Sequence, residues 1–229
     1  MPEESPTLPP SVSTAHRNAA VLLLLGFAVT IAAMAIHPVA HTHELDGFLR
    51  EMNEGQLLNR GAHALAIAGI CVVFCGFIGL ADAMGLRLAA VRCGLVAMGV
   101  GVVALIAAAT INGQILTNVA VRYAELEPAK QEPARALLVF CMAANHACDH
   151  LGVIGMSAAV ALWSIVFLSR GRSTRTLGIL GVIGGIIPVV ALLAGQLPMT
   201  VHGFGAFVLV QAVWGVMAAL WLLRGGRQG

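Results

Sequence analysis

Six long apolar runs dominate the chain, and each is long enough to cross a bilayer as a helix. They cover residues 19–36, 62–81, 91–111, 136–169, 177–197 and 201–223. About 20 apolar residues at 1.5 Å each match the hydrocarbon thickness of a membrane, where a helix satisfies its own backbone polar groups. The pattern therefore predicts an all-α polytopic membrane protein with six transmembrane helices, whose two termini lie on the same side.

The segments before and after these runs predict short tails around a single domain. Residues 1–16 are rich in Pro, Ser and Glu without apolar periodicity, which indicates a disordered tail, and residues 225–229 form a second short tail. The membrane domain then spans residues 17–224. The first run ends in Ala33-Met34-Ala35, a sequence typical of signal-peptide cleavage, but the run exceeds the roughly 7–15 residues of a signal-peptide core. We therefore expect a retained first transmembrane helix.

Two connections are predicted to be structured on the outer side. In segment 44–54, Leu45, Phe48, Leu49 and Met52 recur at helical spacing, which predicts a short amphipathic helix on the membrane surface. The third and fourth apolar runs both continue past the bilayer with polar residues and meet at a proline-containing connector, residues 125–134. Residues 112–148 should therefore form a helical hairpin that stands out of the membrane.

Composition supports a lipid environment, and the distribution of Lys and Arg predicts on which side of the membrane the termini lie. The chain is 59% hydrophobic and 10% charged, whereas soluble domains carry about 25% charged residues. The net charge of +2 is scattered, so no basic face is available for nucleic acid. Eight of the 13 Lys and Arg fall on the side that holds the termini. By the positive-inside rule both termini are predicted to be cytoplasmic, in a bacterial inner membrane.

An acid and two imidazoles interrupt the fourth apolar run. His146, Asp149 and His150 stand at i, i+3 and i+4, so they share one helical face. Counting back about 20 residues from Ser169 places this face at the outer membrane boundary. The predicted topology brings seven of the eight histidines to that boundary: His37, His41, His43, His63, His146, His150 and His202.

This convergence predicts a site for a divalent transition metal, because imidazole and carboxylate are common ligands of Zn, Ni, Co and Cu. The expected ligands are His146, Asp149 and His150, completed by His63, His202 or His37. Asn112, Gln114 and Asn145 would orient the imidazoles from a second layer. The same residues also suit a hydrogen-bonded structural or proton-coupled cluster. A haem with axial ligands from His63, His150 or His202 is a further alternative.

Metal transport or sensing is the first functional hypothesis. Transport needs a polar path beyond the site, and only Ser157, Ser164 and Gln211 offer one. The alternatives are a b-type haem electron carrier, a metal-dependent membrane hydrolase in which Asp149 or Glu44 activates a metal-bound water, and a structural subunit without catalytic residues. Glycine-rich faces, including Gly181 and Gly185, would allow a homo-oligomer or a membrane partner to approach closely.

Two stretches resemble known membrane proteins. HACDHLGVIGMSAAVALWS (146–164) resembles nickel and cobalt permeases, which carry a His…Asp-His pattern in a transmembrane helix, and accessory permeases with a DHL-type motif. This resemblance implies nickel or cobalt transport through His146, Asp149 and His150. SAAVALWSIVFLSRG followed by LGILGVIGG is similar to uncharacterised bacterial six-helix inner-membrane proteins, which implies a location but no activity.

Overall fold

The protein forms a helical bundle in which six helices have the length and apolar character to cross a membrane. The computed structural model describes residues 14–39, 44–123 and 125–226, without the side chains of Pro128 and Ala129. Over those residues the structure contains helices and short connections but no β-strand. The predicted all-α, six-pass fold is therefore confirmed, while the orientation of the termini stays a prediction.

The helices follow one another with short links. They are α1 (Thr14–Ala35), α2 (Leu45–Glu54), α3 (Gln56–Met84), α4 (Ala89–Thr110), α5 (Thr117–Tyr123), α6 (Pro128–Ser169), α7 (Arg172–Leu193) and α8 (Val201–Leu223). A π-helical segment, Ile111–Leu116, joins α4 to α5 without a break, so that one long helix runs from Ala89 to Tyr123. Near the two chain ends, Gly226 lies beside His16. We call this the terminal end of the bundle, and the end that carries α2 and α5 the hairpin end.

Helix ends depart from the sequence prediction in two places. Helix α1 begins at Thr14, inside the segment 1–16 that was predicted to be disordered. Helix α6 begins at Pro128 and includes Pro133, so the connector predicted over residues 125–134 is mostly helical. Proline is tolerated in the first helical turn, where its missing N–H has no intrahelical partner in any case, and this accounts for Pro128; Pro133 lies further inside the helix. The two extended helices predicted for residues 112–148 are present.

Glycines bring neighbouring helices into backbone contact. A Cβ built on Gly155 of α6 would lie 2.8 Å from the Cα of Gly101 in α4, and one on Gly76 of α3 would lie 2.8 Å from the Leu23 backbone of α1. Gly181 of α7 instead lies against side chains, those of Ser164 and Trp214. Small residues permit such close approach in lipid, where packing rather than water exclusion holds helices together. The glycine faces predicted to receive a partner are thus occupied within the chain.

A cluster of large aromatic side chains fills the bundle toward the terminal end. Phe77, Trp163, Phe167 and Trp214 are all buried, with the Trp163 and Trp214 rings stacked 6.2 Å apart between centroids. Both indole N–H groups donate to backbone carbonyls, Trp163 to Val91 and Trp214 to Leu177. The cluster combines large buried apolar area with satisfied polar atoms, and so forms the solid core of this half.

Helix α2 packs part of its apolar face on the protein. Leu49 and Met52 are buried in a second hydrophobic cluster with Leu116 and Leu138 of the hairpin. Arg135 of α6 donates to both carboxylate oxygens of Asp46 at 2.7 Å. The predicted helix exists, with Leu49 and Met52 buried against the hairpin, and its location at a membrane surface stays a prediction.

Candidate functional site

Two adjoining cavities open into the bundle from the hairpin end. The larger, which we call the vestibule, has a volume of about 980 Å³. Ligand pockets typically measure about 300–1,000 Å³. The smaller, which we call the chamber, measures 110 Å³. The two share five lining residues: His37, Asn112, Met199, Thr200 and Val201. The chamber is therefore reached through the vestibule.

The vestibule is lined mainly by apolar side chains, whereas part of the chamber wall is polar. Side chains of α2, α6 and the start of α8 line the vestibule, among them Phe48, Met52, Met142, Met199 and His202. The polar residues that line the chamber are His37, His63, Asn112, Asn145, Asp149 and Thr200, and its remaining walls are apolar. They come from α3, α6, the π-helical segment and the two loops that follow α1 and precede α8. The chamber is the place where most of the chain's helices meet.

The π-helical segment shapes the wall beside His63. Gly113 is buried there, and a Cβ at this position would lie 2.4 Å from the Cβ of His63. Only glycine therefore lets the segment approach the imidazole so closely. Single-turn π-helical insertions occur often at functional sites, because the extra residue alters which groups face the interior. The sequence analysis gave no indication of this segment.

Asn59 connects the π-helical segment to α3. Its amide donates to the Thr117 hydroxyl at 2.8 Å and to the Asn112 carbonyl at 3.4 Å. The Thr117 hydroxyl also donates to the Asn112 carbonyl, at 3.2 Å. Asn59 was missed by the sequence analysis, although it lies one helical turn before His63 and so on the same face.

His37 and His63 face each other through their Nε2 atoms, which are 3.3 Å apart. The Nδ1 atom of His63 lies 2.8 Å from the Asn59 carbonyl, and that of His37 lies 2.8 Å from the Pro38 carbonyl. A carbonyl oxygen only accepts hydrogen bonds, so both Nδ1 atoms carry the proton. In neutral rings both Nε2 atoms are then lone-pair acceptors, and they lie 3.3 Å apart.

Burial keeps His37 in its neutral form. It lowers the pKa of His37, and this effect outweighs the hydrogen bond to Pro38, which raises the pKa. His63 is 7% exposed, so its ring is almost wholly removed from solvent. With both rings neutral, neither Nε2 atom carries a proton. Each Nε2 lone pair is therefore left without a hydrogen-bond donor from the other ring.

Asn145 and Asp149 add further acceptors to the chamber. The Asn145 amide nitrogen donates to the Asp149 carboxylate at 2.9 Å, which fixes the orientation of the amide. The Asn145 Oδ1 atom is buried and has no hydrogen-bond partner. A buried acceptor without a partner is costly in a low-dielectric site. Among the described residues, no lysine or arginine lines the chamber to supply a donor.

The structure corrects the predicted metal cluster. His146 and His150 are exposed, and neither lines the vestibule or the chamber. Across residues 14–39, 44–123 and 125–226, no group of three or more His, Cys, Asp or Glu could hold a metal ion. The reason is rotational: Asn145 and Asp149 form the i, i+4 pair that faces the chamber, and each histidine follows one residue later, about 100° around the helix.

The other predicted residues divide between the two cavities and the surface. His37, His63, Asn112, Asn145 and Asp149 line the chamber, whereas His202 is exposed at the vestibule and Gln114 is exposed. His63, His150 and His202 thus lie in three different environments, and the axial ligation of a haem by them stays a prediction. His41 and His43 lie outside the described residues.

Comparisons with protein-family models, curated proteins and solved structures find no match to this chain. The resemblances to nickel and cobalt permeases and to bacterial six-helix inner-membrane proteins therefore stay predictions. The polar groups of the chamber are the remaining guide to its function.

Proposed function

We propose that this protein is a multi-pass membrane receptor for a small cation, which enters through the vestibule and binds in the chamber. The observation that carries the proposal is the collection of acceptors there: two imidazole Nε2 atoms, the free Asn145 oxygen and the Asp149 carboxylate. A cation, or a donor group that carries a positive charge, would be attracted to these acceptors. A neutral acceptor or an anion would add to their repulsion.

The size of the chamber favours a small occupant. A volume of 110 Å³ holds only a few water molecules, at about 30 Å³ each in the liquid. A metal ion with some of its water, or a small primary ammonium, fits this space, and a porphyrin does not. The divalent transition metal proposed from the sequence is retained as one candidate, with His37 and His63 in place of His146 and His150.

Reception fits the structure better than open conduction. Phe77 follows Ile70 of the chamber wall by seven residues, about 10 Å along α3 toward the terminal end. The aromatic cluster of Phe77, Trp163 and Trp214 occupies the bundle at that depth. A cation bound in the chamber would therefore be sensed or held at the hairpin end, the side predicted to be extracytoplasmic.

Transport is the second candidate, and one observation favours it. Ser157, Ser164 and Gln211 are buried, and their side-chain polar atoms have no hydrogen-bond partner. Unpartnered polar groups in a membrane interior often mark a path that water or an ion uses. If this path conducts, proteoliposomes should accumulate the chamber's cation, and Gln211→Leu should slow uptake without changing binding. Binding without uptake in wild-type proteoliposomes would leave reception as the function.

Cation-dependent thermal stability tests the proposal. The purified full-length chain in detergent is heated with a panel of salts: magnesium, calcium, zinc, cobalt and methylammonium chloride. A ligand that binds only the folded state at 100 times its Kd stabilises by about 2.7 kcal/mol. At least one cation should therefore raise the melting temperature of the wild type, and Asp149→Asn should reduce that rise.

The double variant His146→Ala/His150→Ala is the matched control, because it removes two exposed imidazoles from the same helix. It should retain the full cation response. The proposal fails if no cation in the panel stabilises the wild type, or if the exposed-histidine variant loses the response while Asp149→Asn keeps it.

A further inference from the structure

The imidazole pair carries a more specific inference, which rests on the proposed cation chamber. We propose that His37 and His63 together form a two-histidine coordination site for a transition-metal ion of the zinc, cobalt, nickel or copper type, bridging the loop after α1 to α3. The other coordination positions would be taken by water or by a ligand that arrives through the vestibule.

The separation of the two nitrogens matches this coordination. Two imidazole nitrogens bound at 2.0–2.1 Å to a tetrahedral ion lie about 3.3 Å from one another. The Nε2 atoms of His37 and His63 are 3.3 Å apart. Their rings meet edge to face, with an interplanar angle of 67° and centroids 4.6 Å apart.

The opposite nitrogens are arranged as in metal-bound imidazoles. A histidine that ligates a metal through one nitrogen usually donates the other N–H to a carbonyl or carboxylate, which fixes the tautomer and the ring plane. Here both Nδ1–H groups donate to backbone carbonyls, those of Pro38 and Asn59. The acceptor of His63 belongs to a residue that is itself held to the π-helical segment. Both rings are thus oriented before any ion arrives.

Asp149 and Asn145 would contribute without binding the ion directly. They line the same chamber, but no third His, Cys, Asp or Glu among the described residues completes a metal-holding group. Asp149 would instead balance the charge and accept hydrogen bonds from water on the ion. A site with only two protein ligands leaves open positions, and its ion can exchange, which suits reception.

A hydrogen bond between the rings is the competing explanation for the pair. It requires a proton on one Nε2 atom, because each Nδ1 proton is already donated to a carbonyl. That proton would turn one ring into an imidazolium inside a site that is mostly apolar. The two explanations differ in selectivity: the metal site prefers soft and borderline ions, whereas a protonated pair repels every cation.

Cobalt substitution tests the inference directly. The full-length chain, purified with a tag that contains no histidine, is titrated with Co²⁺ and followed by its visible absorption, with Mg²⁺ and methylammonium as competitors. Wild type should bind one Co²⁺ with intense bands typical of low coordination number, and neither competitor should displace it. His37→Ala and His63→Ala should each weaken binding at least about a hundredfold, since loss of a supporting second-layer partner alone costs 10–100-fold.

Two controls keep the outcome interpretable. His146→Ala/His150→Ala should leave the cobalt spectrum unchanged. His37→Ala is the more informative single variant, because His37 lies beyond the end of α1 whereas His63 is buried within α3. Circular dichroism and gel filtration would verify that each variant keeps its fold.

The possible results separate the two proposals. Cobalt binding that is lost in both chamber variants supports the metal site. Cation stabilisation that depends on Asp149 but not on His37 overturns the two-histidine site and leaves the cation chamber. Binding that is lost only with His146 and His150, or no cation response at all, overturns both.

Discussion

The two ends of the bundle use their buried residues in opposite ways. The terminal half contains the stacked rings of Trp163 and Trp214, whose indole N–H groups both donate to backbone carbonyls. The hairpin half contains imidazole, amide and carboxylate groups around two cavities, and some of these acceptors lack a partner. The first arrangement provides rigidity, and the second keeps polar groups available to a ligand.

Glycine serves both halves, with different consequences. Gly155 places two helix backbones in contact at Gly101, so the space it leaves is filled by another main chain. Gly113 places the π-helical segment against a histidine side chain, so the space it leaves sets the position of an imidazole. Substitution should therefore reduce stability at the first position and binding at the second.

Gly155→Ala should have the largest effect of the substitutions considered. Its Cβ would lie 2.7 Å from the Gly101 backbone nitrogen, and a backbone cannot move aside as a side chain can. Overpacking of this kind costs about 1–3 kcal/mol. Thermal or denaturant unfolding in detergent measures the loss. Gly99→Ala is the control, because its Cβ would meet only Phe74 at 3.7 Å; equal stability of the two variants would contradict the packing argument.

Gly113→Ala should weaken cation binding by about tenfold or more, comparable to losing a group that orients a metal ligand. The new methyl group would displace the His63 ring while leaving both imidazoles in the chain. Cobalt titration measures the change. Gly205→Ala is the matched control beside the chamber, since its Cβ would lie 3.8 Å from Met34. Unchanged affinity in Gly113→Ala would show that the ring position does not matter for binding.

Asn59→Ala should destabilise the hairpin end by about 1 kcal/mol, the usual net worth of a buried hydrogen bond. The side chain is buried and donates to both Thr117 and Asn112. A double-mutant cycle with Thr117→Val, read by thermal unfolding, isolates their interaction. The two losses should be less than additive, and strict additivity would show that the residues act independently.

Asp46→Asn should have the smallest effect. Its carboxylate meets Arg135 in two-oxygen contact, but both side chains are substantially exposed and water screens the pair. We expect a slight fall in the melting temperature and easier proteolysis near α2. Lys130→Gln breaks the longer 4.0 Å pair with Glu127 and should change neither measurement. A fall in the melting temperature as large as that of Gly155→Ala would show that Asp46 contributes strongly to the stability of the fold.

The helices were predictable because their signal is local. Apolar length alone identified six spans, and the spacing of Leu49 and Met52 identified α2. What covers the α2 stripe was not predictable, because periodicity shows that a face is apolar and not which surface it meets. The location of this helix at a membrane surface therefore stays a prediction.

The site was predictable in its residue types and not in their grouping. His37, His63, Asn145 and Asp149 were all among the candidates, and they do line one chamber. The i, i+4 spacing of His146 and His150 showed that they share a face, but it could not fix the rotation of α6 about its axis. The π-helical segment at Gly113 depends on tertiary contacts with His63, for which a single sequence carries no periodic signal.

The most direct test is an anomalous-difference map from crystals of the full-length chain grown with zinc, recorded on both sides of the zinc absorption edge. We predict one strong peak between the Nε2 atoms of His37 and His63, at about 2.0–2.1 Å from each. A peak at His146 or His150, with none in the chamber, would contradict the assignment of cation binding to the interior of the hairpin end.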